Sequence, residues 1–157
     1  ALAGMVTELR GLRPEDFALF HPGGALGRRL LTRIRDVMAT GEKLPVVGLS
    51  VSVSDALFEM TSKGYGATII VDDRGDLAGV FTDGDLRRLI AKRGVECLSC
   101  EVSGAMITSP VVITPEKLAV EAVRIMEQKE ISAIIVVEDR RPVGILHLHE
   151  LLKAGVA

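Results

Sequence analysis

The chain writes one unit twice, and that constrains its fold more than any other feature. Slid along itself by about 65–68 positions, Met38 falls on Met106 and Pro45 on Pro110. Ala56, Met60 and Lys63 fall on Ala122, Met126 and Lys129. Ala67, Ile69, Val71 and Asp73 fall on Ala133, Ile135, Val137 and Asp139, while Gly79 and Leu86 fall on Gly144 and Leu151. The changes of offset lie where loops are expected, as insertions should. A single unit is too small to bury its own helices, so the two are expected to pack face to face around a pseudo-twofold axis, leaving a cleft between them.

Each unit reads β-α-β-β-α after a short helical turn, "RDVM" in the first and "SGAM" in the second. A short strand follows Pro45 or Pro110. The first long helix is "SVSDALFEMTSKG"; in "TPEKLAVEAVRIMEQKE" Thr114 reads as N-cap and Pro115 as first helical residue. Leu118, Ala119, Ala122, Val123 and Met126 form its apolar stripe. Two strands come next, "ATIIVDD" turning at "RGD" into "LAGVFT", and "SAIIVVED" turning at "RR" into "PVGILH". A closing helix begins near Asp83 or His149. The fold class is α/β in the α+β sense.

Composition narrows the partners. Net charge is −2 with both signs interspersed, and aromatic residues are 3% of the chain with no Trp and one Tyr. That argues against nucleic acid and against an anionic membrane surface. No apolar run reaches the ~20 residues of a membrane span and no signal peptide leads the chain. Two cysteines, Cys97 and Cys100, are too few for a disulfide scaffold, which points to a reducing cytoplasm. The pair "CLSC" lacks a second pair, and His147 and His149 supply only two imidazoles, so no metal is expected.

The polar residues of the repeated phrase are the candidates for chemistry. "GVFTDGDLRRLI" carries Thr82 and Asp85; "GILHLHELLKAG" carries His147 and Glu150. Thr82 three residues before an acid resembles a capping box, which would do no more than start a helix. A carboxylate also suits a ribose diol, and His147 in the place of Thr82 is a poor N-cap, so capping alone gives no reason for the exchange. Both roles stay open at Thr82. His147 reads either as a donor to a ligand oxygen or as a histidine at a strand end. Arg87, Arg88 and Lys43 are ordinary surface charges that could meet a phosphate or carboxylate. Gly64 reads as a helix C-cap. Gly66 and Ala67, with Tyr65 beside them, would let a flat base approach the backbone; Ser132 and Ala133 are their counterparts.

The order of elements, ending in glycine, two apolar residues, threonine and a later acid, resembles a tandem pair of CBS domains (the cystathionine β-synthase module). The resemblance covers Ile34 to Gly155. It implies a disc-like Bateman module whose cleft binds a nucleotide, with Thr82 and Asp85 meeting the ribose. Unit two keeps the acid as Glu150 but has His147 for the threonine, so a second equivalent site is not implied. The expected division is 1–33 before the repeats, 34–94 for repeat 1, 95–101 for a linker and 102–157 for repeat 2.

The leading segment "HPGGALGRRLL" resembles the junction in arabinose-5-phosphate isomerases, where a sugar isomerase (SIS) domain precedes the CBS pair. Those enzymes interconvert ribulose 5-phosphate and arabinose 5-phosphate on the way to Kdo, a sugar acid of lipopolysaccharide. The resemblance gives His21 the place of an active-site histidine, and a histidine is a suitable acid or base for aldose–ketose exchange. Ala1 opens inside a helical pattern (Leu2, Met5, Leu9), so the chain reads as a fragment of a longer protein. His21 alone cannot turn over substrate. The expectation is a non-catalytic regulatory pair in an isomerase, needing no cofactor. Its ligand would be CMP-Kdo as feedback signal, or an adenine nucleotide. It would be a homodimer through the CBS pair, with a tetramer in the full enzyme. A ligand-free oligomerisation module is the rival.

Overall fold

The structure is a computed structural model that describes residues 25–157. His21 and the helical pattern over Leu2, Met5 and Leu9 lie outside the described residues. Helix α1 (Ala25–Leu31) and the single turn α2 (Ile34–Val37) lead into repeat 1: β1 (Val46–Gly48), α3 (Val53–Lys63), β2 (Ala67–Val71), β3 (Leu77–Thr82) and α4 (Asp83–Arg93). Short 3-10 turns over Val95–Ser99 and Val102–Gly104 lead into repeat 2: β4 (Val112–Ile113), α5 (Ala119–Lys129), β5 (Ala133–Glu138), β6 (Arg141–His147) and α6 (Leu148–Lys153). The sheets are β1-β2-β3 and β4-β5-β6, each with a parallel first pair and an antiparallel second pair.

Local chemistry explains the elements. Ser52 caps α3 by accepting from Asp55 N–H at 3.0 Å, and Gly64 ends it with φ +80°. Val53, Ala56 and Met60 bury one stripe of α3; Ala119, Ala122 and Met126 bury the matching stripe of α5. Thr68 is a fully buried polar residue, and its hydroxyl donates to the Ala56 carbonyl at 2.7 Å.

The repeats exchange their lead-ins. Ile34, written at the start of repeat 1, lies in the core of repeat 2 with Ala119, Ala122, Met126 and Leu151. Val102, written at the start of repeat 2, lies in the core of repeat 1 with Val53, Met60, Ile70 and Phe81. Backbone bonds match the exchange on both sides. Val53 N–H reaches Cys100 O and Val102 N–H reaches Val51 O, each at 2.8 Å. Ala119 N–H reaches Thr32 O at 2.8 Å, and Ile34 N–H reaches Lys117 O at 3.0 Å. A third cluster, Ile69, Ile135 and Ile145, joins the sheets between the repeats.

This exchange corrects one sequence expectation. Thr114 and Pro115 do not begin α5; the helix starts at Ala119 with Leu118 in the N-cap position. Residues 115–118 instead turn to meet the lead-in: Pro115 and Lys117 give their carbonyls to Arg35 and Ile34, and Arg33 reaches the Glu116 carbonyl at 2.6 Å. Those partners lie far away in sequence, and the local capping signal does not compete with them.

The repeated glycines mark the crossing points. A Cβ on Gly79 would lie 2.6 Å from the Ile107 carbonyl oxygen and 2.7 Å from Met106 Sδ. On Gly144 it would lie 2.5 Å from Met38 Sδ. Each lead-in runs across the third strand of the opposite repeat, where only a residue without a side chain leaves room.

Candidate ligand clefts between the repeats

Because the lead-ins are exchanged, each cleft takes residues from both repeats. The larger, about 530 Å³, is lined by Val37, Met38, Ala39, Glu42, Lys43 and Tyr65 from the lead-in and front of repeat 1, by Ser62 and Lys63 from α3, and by Glu150 from α6 of repeat 2. The smaller, about 150 Å³, is lined mainly by aliphatic residues, among them Val80, Ile107, Ile131, Ile135 and Ile145 with Ala67 and Ala133, and by Ser109.

The two acids of the repeated phrase have different fates. In repeat 1, Asp85 is committed. Its Oδ2 accepts from both Thr82 N–H and Thr82 Oγ1 at 2.9 Å, and Asp85 N–H donates back to Thr82 Oγ1 at 3.3 Å. That is a complete capping box at the start of α4. Arg88 Nη2 donates to the remaining oxygen, Oδ1, at 2.6 Å, leaving the Asp85 side chain 9% exposed. In repeat 2 the box is absent. His147 caps α6 by another route, its Nδ1 accepting from His149 N–H at 3.1 Å. The expectation that His147 is unfit for capping is corrected: the imidazole reaches the second helical N–H where Thr82 reaches the third. With Nδ1 accepting, Nε2 is left as the donor of a neutral imidazole.

Glu150 makes no side-chain hydrogen bond or ion pair among the described residues. Its carboxylate is nonetheless felt at Tyr65, whose phenol pKa is raised above 10.0 by burial and, secondarily, by the Glu150 charge. Lys43 is likewise without a partner among the described residues, whereas Lys63 is held by the Glu42 carbonyl and by Glu59.

The remaining candidates divide. Gly66 has φ +69° and gives its carbonyl to Asp83 N–H at 3.1 Å, so a left-handed turn that seats α4 accounts for it without a base against the backbone. Ser132 does the same for α6, accepting from Leu148 N–H at 2.8 Å. Ala67 and Ala133 line the smaller cleft, Lys43 the larger. Arg87 is exposed and lines neither. Among the described residues no three His, Cys, Asp or Glu gather as a metal-ligand set. No described helix is long and apolar enough to cross a membrane.

The CBS domain model matches residues 34–92 and 101–157. The chain belongs to the CBS domain family. Among solved CBS-domain proteins, ATU1752 from Agrobacterium tumefaciens superposes with a TM-score of 0.70 at 26% identity, covering 78% of this chain and 92% of that one. CBSX2, solved in complex with AMP, superposes with a TM-score of 0.66 at 28% identity, covering 80% of this chain and 96% of its own. In sequence the chain is 51% identical over 157 residues to arabinose 5-phosphate isomerase KdsD of Pseudomonas aeruginosa, covering 99% of this chain and 48% of that protein. The chain thus spans about half the length of the curated relatives it matches.

For this CBS pair, sequence reasoning located the phrase but left out the residues that Met38, Ala39 and Glu42 bring to the larger cleft, and Ser109, Pro110 and Ile131 to the smaller. One signal for them was present. Met38 and Met106 are paired by the repeat and each precedes its short strand, so both lead-ins were marked as parts of the unit.

Proposed function

We propose that this CBS pair is the regulatory half of an arabinose 5-phosphate isomerase and senses an anionic nucleotide or nucleotide-sugar between its repeats, with CMP-Kdo the favoured ligand. The observation that carries the reading is the larger cleft, where a cation, Lys43, and two carboxylates, Glu42 and Glu150, line one cavity without side-chain partners among the described residues. A ligand with a phosphate or carboxylate at one end and hydroxyls at the other answers both. CMP-Kdo has that form, and as the activated end product of the route begun by such an isomerase it is a suitable feedback signal. The 51% identity to KdsD supports the parent activity. In that parent His21 would serve the isomerase site, and two CBS pairs would pair within a tetramer.

A second reading, an adenine nucleotide, is favoured by the AMP complex of CBSX2. Titration calorimetry of this chain with CMP-Kdo, CMP, AMP and ATP decides between them. Saturable binding of CMP-Kdo with weaker CMP supports the first; binding of adenine nucleotides alone replaces it with the second. A melting temperature indifferent to all four would leave a ligand-free oligomerisation module.

A further inference from the structure

We infer that Cys97 and Cys100, on the turn that joins the repeats, form a reversible dithiol–disulfide site for low-molecular-weight disulfides. Exposed Cys100 makes the first exchange, and buried Cys97 resolves the adduct into an internal bridge.

The backbone holds the two cysteines ready to be joined. They lie in the 3-10 turn Val95–Ser99 and at its C-cap, with Cys100 N–H donating to the Cys97 carbonyl at 3.1 Å. Such a turn has three residues per revolution and about 2.0 Å of rise per residue, so positions i and i+3 stand over one another about 6 Å apart. A disulfide spans Cα separations of about 4.4–6.8 Å. The Cys100 φ of −76° keeps its Cβ close to the line of the turn, and only its ψ of 157° leads the chain away. Neighbouring bonds hold this shape. Cys97 N–H reaches the Gly94 carbonyl at 3.4 Å, Ser99 Oγ donates to the Glu96 carbonyl at 3.0 Å, and Val53 N–H holds the Cys100 carbonyl at 2.8 Å. Neither sulfur has a hydrogen-bond partner among the described residues, so no bond must be broken before the sulfurs meet.

Exposure assigns the roles. Cys97 is 2% exposed, whereas Cys100 opens to solvent. An attacking sulfur must approach along the axis of the S–S bond it breaks, which only Cys100 can do in the folded chain. Cys100 gives its proton to solvent and its thiolate attacks one sulfur of R–S–S–R. The mixed disulfide Cys100–S–S–R forms, and R–S⁻ leaves and takes up a proton. The Cys97 thiolate, its proton likewise lost to solvent, then attacks Cys100 Sγ and expels the second R–S⁻. Two cysteine thiols are oxidised by two electrons, and one R–S–S–R is reduced to two R–SH. The bridge closes a loop of only four residues, so it removes little entropy from the unfolded chain and adds little stability. It is suited to opening again when thiols are in excess, and the dithiol is its resting form in reducing surroundings.

Oxidised glutathione is the probe, reduced glutathione reverses it, and alkylation with iodoacetamide followed by intact mass counts the thiols. In the reduced wild-type chain one cysteine, Cys100, should alkylate quickly while folded, and two should alkylate in denaturant. After oxidised glutathione none should alkylate even in denaturant. The mass should fall by two hydrogens with no glutathionyl group retained, and reduced glutathione should restore both thiols. Cys97→Ala should stop the reaction half-way, keeping one glutathionyl group on Cys100. Cys100→Ala should exchange at least tenfold more slowly while folded. Melting temperatures check that each variant folds, and the wild-type masses decide the matter if one does not. A wild type that keeps both thiols, retains a glutathionyl group or bridges two chains overturns the inference, as does faster alkylation of Cys97 than of Cys100.

Discussion

Met38 and Gly144 occupy one position from opposite repeats: a Cβ on Gly144 would lie 2.5 Å from Met38 Sδ and 3.0 Å from its Cγ. The contact sits where Ala39 and Ile145 exchange backbone bonds of 3.0 and 3.1 Å. Gly144→Ala should therefore push the lead-in off β6 and destabilise the fold by about 1–3 kcal/mol, the usual cost of overpacking. Gly79→Ala should cost at least as much, because its Cβ would meet the Ile107 carbonyl as well as a flexible methionine. Urea midpoints at unchanged m-value check both. Wild-type midpoints would refute the crossing.

Ile34 tests the exchange from the core side. It is fully buried among residues of repeat 2. Ile34→Ala should cost about 2–5 kcal/mol, the range for emptying a large aliphatic side chain from a core. In hydrogen exchange the loss should appear as faster opening of α5 and α6, with smaller change in α3. Equal loosening of both repeats would show that the lead-in does not belong to repeat 2's core.

His147 caps α6 through its Nδ1. His147→Ala should destabilise the chain by about 0.5–2 kcal/mol, as loss of a capping side chain does. His147→Asn should restore most of that loss, because an amide oxygen can accept the same N–H. Thermal unfolding of the three proteins measures it, and equal stability of all three would remove the cap.

Tyr65 should ionise above 10.0, held up by burial first and by Glu150 second. Lys43 and Glu42 from the lead-in to β1, Lys63 from the end of α3 and Glu150 from α6 share its cavity. Ultraviolet titration of the phenolate should give a midpoint that falls part-way in Glu150→Gln, burial keeping the rest. The folded protein holds this proton more tightly than the unfolded chain. The contribution to stability is therefore complete below about pH 10, the unfolded phenol's ordinary pKa, and is lost as pH rises through the folded value. An unchanged midpoint in Glu150→Gln would separate the two groups.

Much of this is legible in the sequence. The repeat shows as self-similarity along the chain, and the order β-α-β-β-α and the C-cap at Gly64 are local signals, each set within a few residues of where it is read. The phrase of glycine and acid was equally plain. Its meaning was less so. Thr82 and Asp85 read as both a cap and a site, and the distances show the cap. His147 looked unfit to cap because the usual preference counts side-chain oxygens, while the imidazole nitrogen does the same work here.

The sequence by itself determined that two similar α+β units must cover one another, since neither could bury its helices alone. Tertiary structure decided which residues share a cleft, where α5 begins and which acid stays unclaimed. The physical reason is distance along the chain. Arg33 meets Glu116 across 83 positions, and Gly144 yields to Met38 from the opposite unit. Periodicity and capping patterns record forces between neighbours, and bonds of that reach leave no local trace.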